Sequence, residues 1–277
     1  MIGEPSLLTL AAALLATGAA AGILAGLLGV GGGIIIVPIL YTVFRLISIE
    51  SSVIMHLAVG TSLATIIPTS IVSLASHNRR NAVDWRLFRS WLPWLIAGVA
   101  AGTWLANTTL SSNVLSLVFG FVAFAVALNL LCQKDTQSNW LDYFSGQVPL
   151  YYSARIAPAP ITFGLFSSIM GIGGGTLSVP FLNALSYPMH RAVGTSSAFA
   201  LVIAIPAALG YAIGGWNNIA LPAGSIGYVN AYGFILITLA STFTAPFGSR
   251  IAHAVSEKTL RLIFAIFLLA TSASMFI

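Results

Sequence analysis

Residues 25–40 read AGLLGVGGGIIIVPIL, and residues 167–182 read SSIMGIGGGTLSVPFL. Seven of the 16 positions are identical, pairing Gly29 with Gly171, Gly31 with Gly173, Gly32 with Gly174, Gly33 with Gly175 and Pro38 with Pro180. A second match follows in the same order. HLAVGTSLA at 56–64 and HRAVGTSSA at 190–198 agree at seven of nine positions. The offset falls from 142 to 134, so the second half is eight residues shorter between its motifs. One such match arises easily in apolar sequence. Two in register, carrying the rarer His and Pro, argue for two related halves.

The medium in which those halves fold follows from composition. Of 277 residues, 11 are Lys or Arg and 6 are Asp or Glu, so 6% carry formal charge, while 58% are hydrophobic. Soluble domains carry about 25% charged residues. With a mean hydropathy of +0.97, the chain lacks the polar surface a soluble fold needs. That excludes a cytosolic enzyme, a disordered chain and a disulfide scaffold, and leaves an integral membrane protein. The net charge of +5 does not indicate nucleic acid, because the basic residues are scattered and form no stripe. One cysteine, Cys132, allows no internal disulfide and no cysteine metal cluster. The first five residues lack the basic region of a secretory signal, so 6–28 reads as a retained membrane segment.

Apolar stretches run over 6–28, 34–47, 53–75, 91–107, 113–132, 159–170, 176–187, 191–214, 228–248 and 259–277. None alternates as a barrel strand would, so the expected fold is all-α, a multi-pass helical bundle. A repeat at 1–132, a polar inter-repeat linker at 133–158 and a second repeat at 159–277 divide the chain. Three stretches, 34–47, 159–170 and 176–187, fall short of the roughly 20 residues that span a bilayer. These flank the glycine clusters, so each cluster is expected to centre a broken or re-entrant helix pair.

Charge sets the relative orientation. Arg79, Arg80, Arg86 and Arg89 surround 76–90 in the first half, but the corresponding 212–228 is uncharged. The next connection, 104–114, is uncharged, whereas 247–261 carries Arg250, Lys258 and Arg261. The basic connection has changed places, and the positive-inside rule then predicts inverted repeats. Each glycine-centred pair must enter and return to one side. Both termini then lie outside, the linker is cytoplasmic, and all Lys and Arg except Arg45 face the cytoplasm.

Glycine lets backbone bend and approach a solute closely. The N–H groups opening the following short helix lack internal partners, and with the helix dipole they favour an anion. The clusters Gly29, Gly31, Gly32, Gly33 and Gly171, Gly173, Gly174, Gly175 are therefore candidate anion-binding backbone, against tight helix packing as the plain alternative. Pro38 and Pro180 bend or shorten the helices behind them. Thr61, Ser62, Thr195 and Ser196 offer hydroxyl donors without charge, or bond back to their own helices. His56, His190 and Arg191 are candidates for proton or anion contact, with interfacial, capping and topology-setting roles as alternatives. Two histidines without a carboxylate cluster make a poor metal site, and nothing asks for a cofactor. No acid lies within an apolar stretch, which disfavours a cation pump. No catalytic constellation emerges.

These residues carry a family resemblance over 6–277. The paired Gly29-Val30-Gly31-Gly32-Gly33 … Pro38 and Gly171-Ile172-Gly173-Gly174-Gly175 … Pro180 motifs, the two Ala-Val-Gly-Thr-Ser runs, and Arg250-Ile251-Ala252 … Leu260-Arg261 resemble the sulfite exporter TauE/SafE family. The resemblance implies a multi-pass transporter of the bacterial inner membrane that exports sulfite or a small organosulfonate such as sulfoacetate. Its partners would be a small anionic solute and the lipid bilayer. An anion channel, an importer of a related anion and a non-transporting membrane subunit stay open on the residues alone, as does the oligomeric state.

Overall fold

The computed structural model describes residues 7–28, 32–132, 158–185, 187–254 and 257–276. Gly29, Gly31 and the linker 133–157 lie outside these. The described residues form ten helices: α1 (Leu7–Leu28), α2 (Gly33–Leu46), α3 (Ile54–Arg79), α4 (Trp85–Thr108), α5 (Ser112–Cys132), α6 (Pro158–Met170), α7 (Gly175–Ala184), α8 (Met189–Gly214), α9 (Ala231–Ala254) and α10 (Glu257–Phe276). Every apolar stretch has become a helix. The departures lie at the ends. α4 begins at Trp85 rather than 91 because Asp84 caps it, accepting from the Arg86 and Leu87 N–H groups at 3.0 Å each. Arg86 and Arg89 thus ride on a helix, not in a loop. The α8–α9 connection also holds a small hairpin, β1 (Ser225–Ile226) and β2 (Val229–Asn230), which apolar periodicity does not foretell. Gly224 and Gly227, at φ 79° and 55°, make its turns.

α2, α6 and α7 have 14, 13 and 10 residues. At about 1.5 Å per residue they are too short for a hydrocarbon core of about 30 Å. Among the described residues, α3 and 191–214 of α8 are long and apolar enough to cross a membrane, and they hold equivalent places in the two halves. The outer surface suits lipid: Trp104, Phe121, Leu209, Ile213, Phe243 and Ile266 are exposed. A soluble monomer rarely shows so much large apolar side chain.

Packing joins α1 to α9, α4 to α6, α3 to α8 and α5 to α10, with further contacts of α4 with α8, α3 with α9, α2 with α3 and α7 with α8. Exchanging the first five helices with the last five carries each of these pairs into itself or another in the set. Glycines bring the backbones together. Gly18 faces Ile237 and Ala240, and Gly22 faces Ser241, so α1 and α9 run in the same direction. Gly98 faces Ile161 and Gly102 faces Leu165, so α4 and α6 do likewise. α3 and α8 run oppositely, since Gly60 meets Tyr211 whereas Ile66 packs on Ala200 and Ala204. The core sits around the buried first half of α3, from Ile54 to Ile66, and the buried start of α8.

Candidate functional site

The two glycine clusters meet. A methyl group added to Gly33, the first residue of α2, would lie 2.6 Å from the Gly171 carbonyl oxygen and 3.1 Å from the Gly173 nitrogen. The first repeat's helix start therefore abuts the turn that opens α7. Both turns use left-handed backbone: Gly32 at φ 75° and Gly171 at φ 68°. Gly174 is hemmed by Phe199 and Ile203 of α8, and Gly171 by Val37 and Val59. Gly175 opens α7. Gly29 and Gly31 lie outside the described residues.

Hydroxyls hold the turns in place. Ser62 donates to the Gly171 carbonyl at 2.8 Å. Ser178 donates to the Gly174 carbonyl at 2.6 Å and lies 2.7 Å from the Ser196 hydroxyl. Thr176 bonds the Gly173 carbonyl at 2.9 Å. All of these serines and threonines are buried. α3 thus holds the second cluster directly through Ser62, and α8 holds it through Ser196 acting on Ser178.

The threonines of that motif do something else, and they do it symmetrically. Thr61 accepts the Asn230 N–H at 2.9 Å. Thr195 accepts the Asp84 N–H at 2.9 Å. Asn230 precedes α9 and bonds the Gly233 N–H at 2.8 Å, as Asp84 caps α4. Thr61 on α3 therefore clasps the residue that precedes α9, and Thr195 on α8 the residue that caps α4. Tyr187 adds a 2.5 Å hydrogen bond to the Asp84 carboxylate. Gly60 and Gly194, just before the threonines, let the backbone of Tyr228 and Ala82 come close.

His56 lies in the first turn of α3, buried, with Nε2 2.9 Å from the Ala106 carbonyl oxygen. A carbonyl only accepts, so Nε2 carries the hydrogen. Arg191 is exposed on the first turn of α8. His190 lies beside it, and its side chain is outside the described residues. The structure thus brings Gly32, Gly33, Gly171, Gly173, Gly174, Ser62 and Ser196 together, turns Thr61 and Thr195 to helix starts, and leaves Arg191 at the surface.

Among the described residues no charged side chain is buried; the buried polar groups are hydroxyls, His56 and Asn230. No three His, Cys, Asp or Glu side chains gather there. Such a region can hold an anion through neutral dipoles. A helix start stabilises a negative group by about 0.3–1 kcal/mol at the surface and up to ~2 kcal/mol where partly buried. Asp84, Asn230 and the packing glycines Gly18, Gly22, Gly98 and Gly102 were not singled out from sequence. The four-residue spacing of Gly18-Ala-Ala-Ala-Gly22 and Gly98-Val-Ala-Ala-Gly102 is a signal that finds the glycines. Asp84 ahead of an apolar helix is a cap signal.

A family profile described as "Sulfite exporter TauE/SafE" matches residues 14–275. A probable membrane transporter protein of Haemophilus influenzae is 31% identical over 266 residues, covering 95% of this chain and 97% of the relative. One from Methanocaldococcus jannaschii is 27% identical, covering 90% and 89%. The probable membrane transporter protein YunE of Bacillus subtilis is 28% identical, covering 74% and 79%. No solved structure matches the chain.

Proposed function

We propose that this chain, which belongs to the sulfite exporter TauE/SafE family, exports a small sulfur-containing oxyanion, sulfite or an organosulfonate such as sulfoacetate, by alternating access. The chain is a multi-pass membrane protein like its transporter relatives. In this reading the anion rests near the midplane where the glycine clusters meet, between the starts of α2 and α7. Gly29, Gly31, Gly32, Gly33, Gly171, Gly173, Gly174 and Gly175 supply close-approaching backbone, and Ser62 and Ser196 fix the turns. Thr61 and Thr195 serve the same centre by holding the fourth helices. The chain performs no catalysis in this account.

The observation that carries the reading is the direct contact of Gly33 with the Gly171–Gly173 turn. The start of α2 meets the turn ahead of α7 there, with no buried charged side chain among the described residues, an arrangement in which helix starts can hold an anion. Two repeats of opposite orientation fit the rest of the packing. Antiparallel α3 and α8, the exchange-symmetric helix pairs and the crossed threonine clasps all support that arrangement. One repeat rocking against the other would then open the centre to either side.

Export suits an anion energetically. An interior-negative potential drives each negative charge outward by about 2.3 kcal/mol per 100 mV, roughly a 50-fold gradient. Purified protein tested for thermal stability against sulfite, sulfate, thiosulfate, sulfoacetate, taurine, chloride and acetate checks the reading. Sulfite or a sulfonate should stabilise it, by about 2.7 kcal/mol at 100 times the dissociation constant. Stabilisation by chloride and acetate alone would refute a sulfur-anion site.

A further inference from the structure

Six buried side-chain atoms lack a hydrogen-bond partner among the described residues, and four of them sit on neighbouring helix ends: His56 Nδ1, Thr103 Oγ1, Asn107 Oδ1 and the Tyr211 hydroxyl. His56 opens α3, Thr103 and Asn107 close α4, and Tyr211 lies in the last turn of α8. The contacts bind these turns into one cluster. The His56 ring lies 6.5 Å from Tyr211 and 4.9 Å from Tyr228, centre to centre. His56 Nε2 reaches the Ala106 carbonyl at 2.9 Å. Asn107 Nδ2 donates to the Gly210 carbonyl at 3.1 Å, and Thr103 packs on Gly210 itself. Exposure is 0% for Tyr211, 5% for His56 and 7% for Thr103.

Hydrogen-bond chemistry fixes what each group lacks. The Ala106 carbonyl takes the His56 Nε2 hydrogen, which leaves Nδ1 of the neutral ring a bare acceptor. The Gly210 carbonyl takes the Asn107 amide, which leaves Oδ1 a bare acceptor. Thr103 and Tyr211 each bring a hydroxyl that can donate. A water, with two hydrogens and two lone pairs, complements two acceptors and two donors, and an acid hydroxyl, with one hydrogen, meets both donors and one acceptor. Four such groups left unmatched in an apolar bundle would each cost about 1–3 kcal/mol, and a bound water normally satisfies about three.

We propose that His56, Thr103, Asn107 and Tyr211 form a second polar site that binds a hydroxyl-bearing ligand, either a water or the acid hydroxyl of a singly protonated oxyanion. It lies one helical turn from the glycine centre, since Val59, three residues after His56, touches Gly171. The opposite end of α4 and α8 carries the Asp84 hydrogen bonds to Thr195 and Tyr187 and, beside them, an aromatic cluster. There Trp91 stacks on Phe199 at 5.3 Å and, with Phe88, Phe163 and Phe181, fills the space between α4, α6, α7 and α8. The His56 cluster lies on the side of the centre that the inverted-repeat reading turns outward. In that reading, this is the step through which a solute leaves.

Tyr211→Phe and Thr103→Val each remove one hydroxyl and little else. The two single variants and the double variant are compared with wild type by thermal unfolding, in buffer without added anion and again with sulfite. Each single variant should lower the midpoint by about 2 °C or more. The double variant should lose less than the sum, because both hydroxyls serve one ligand. Coupling without anion identifies water; coupling that appears only with sulfite identifies the oxyanion's hydroxyl. Either supports the site. Midpoints that rise in both single variants and add in the double would mean that the hydroxyls hold nothing, and would overturn it. Radiolytic labelling of unmodified protein gives a second readout. Oxidation of buried Tyr211 supports bound solvent, and protection of Tyr211 equal to that of buried Phe119 excludes the water. The test without anion does not depend on transport, so its failure is separable from failure of the export reading.

Discussion

Gly171→Ala tests the junction of the two glycine clusters. Gly171 sits at φ 68°. A side chain in left-handed backbone costs about 1–2 kcal/mol. The new methyl would also lie 2.9 Å from Val37 Cγ2, 3.0 Å from the Val59 Cα and 3.1 Å from the Val59 carbonyl oxygen. Two of those three neighbours are backbone of α3 and cannot rotate away. Overpacking of that kind costs about 1–3 kcal/mol. Together the cost is about 2–5 kcal/mol, a fall of roughly 4–20 °C in the unfolding midpoint at ~2–4 °C per kcal/mol. The assay is thermal unfolding of purified protein in one detergent at fixed protein concentration. Because Gly33 touches Gly171, Gly33→Ala should also destabilise, and the double variant should depart from additivity by more than ~0.5 kcal/mol. A Gly171→Ala midpoint within 1 °C of wild type would refute the close junction from which the proposed site is built.

Other consequences are as definite. Thr195→Val leaves the Asp84 N–H without its acceptor and should destabilise by about 1–3 kcal/mol, whereas Thr195→Ser should restore most of the loss; thermal unfolding reads both. Thr61→Val should behave alike through Asn230, and opposite signs for the two threonines would deny the crossed clasps. Asp84→Ala removes the α4 cap and the Tyr187 bond and should cost about 1–2 kcal/mol, with Asp84→Asn milder; equal losses would mean that the cap contributes nothing. Gly22→Leu and Gly102→Leu should abolish accumulation of folded protein, because the backbones of Ser241 and Leu165 occupy the space. Normal yield on gel filtration would contradict the close helix pairs.

Much of this architecture was legible because membrane helices must satisfy their own backbone. Apolar run length alone located ten helices, with ends as much as six residues away at α4 and α9. The doubled Gly-x-Gly-Gly-Gly and Gly-Thr-Ser motifs identified the segments that meet in the centre. Helix ends were less legible where a polar residue extended a helix beyond its apolar run. Asp84 did this for α4, carrying Arg86 and Arg89 with it. The role of Thr61 and Thr195 was out of reach, because their partners lie 169 and 111 residues away in the other repeat. No local pattern encodes such a pairing; only the two halves packed together do. The orphaned cluster at His56 was hidden for the same reason. His56 was visible as half of a repeated pair, but Thr103, Asn107 and Tyr211 belong to no motif.

The most direct measurement is efflux of sulfite from proteoliposomes with the membrane potential set by a potassium gradient and valinomycin. Wild type should release sulfite faster than empty liposomes, and faster still when the interior is negative. Gly33→Ala, if it purifies folded, should lose most of that flux, because its methyl group enters the junction at Gly171. Flux equal to that of empty liposomes, or flux unchanged by Gly33→Ala, would contradict an anion pathway through the paired glycine clusters.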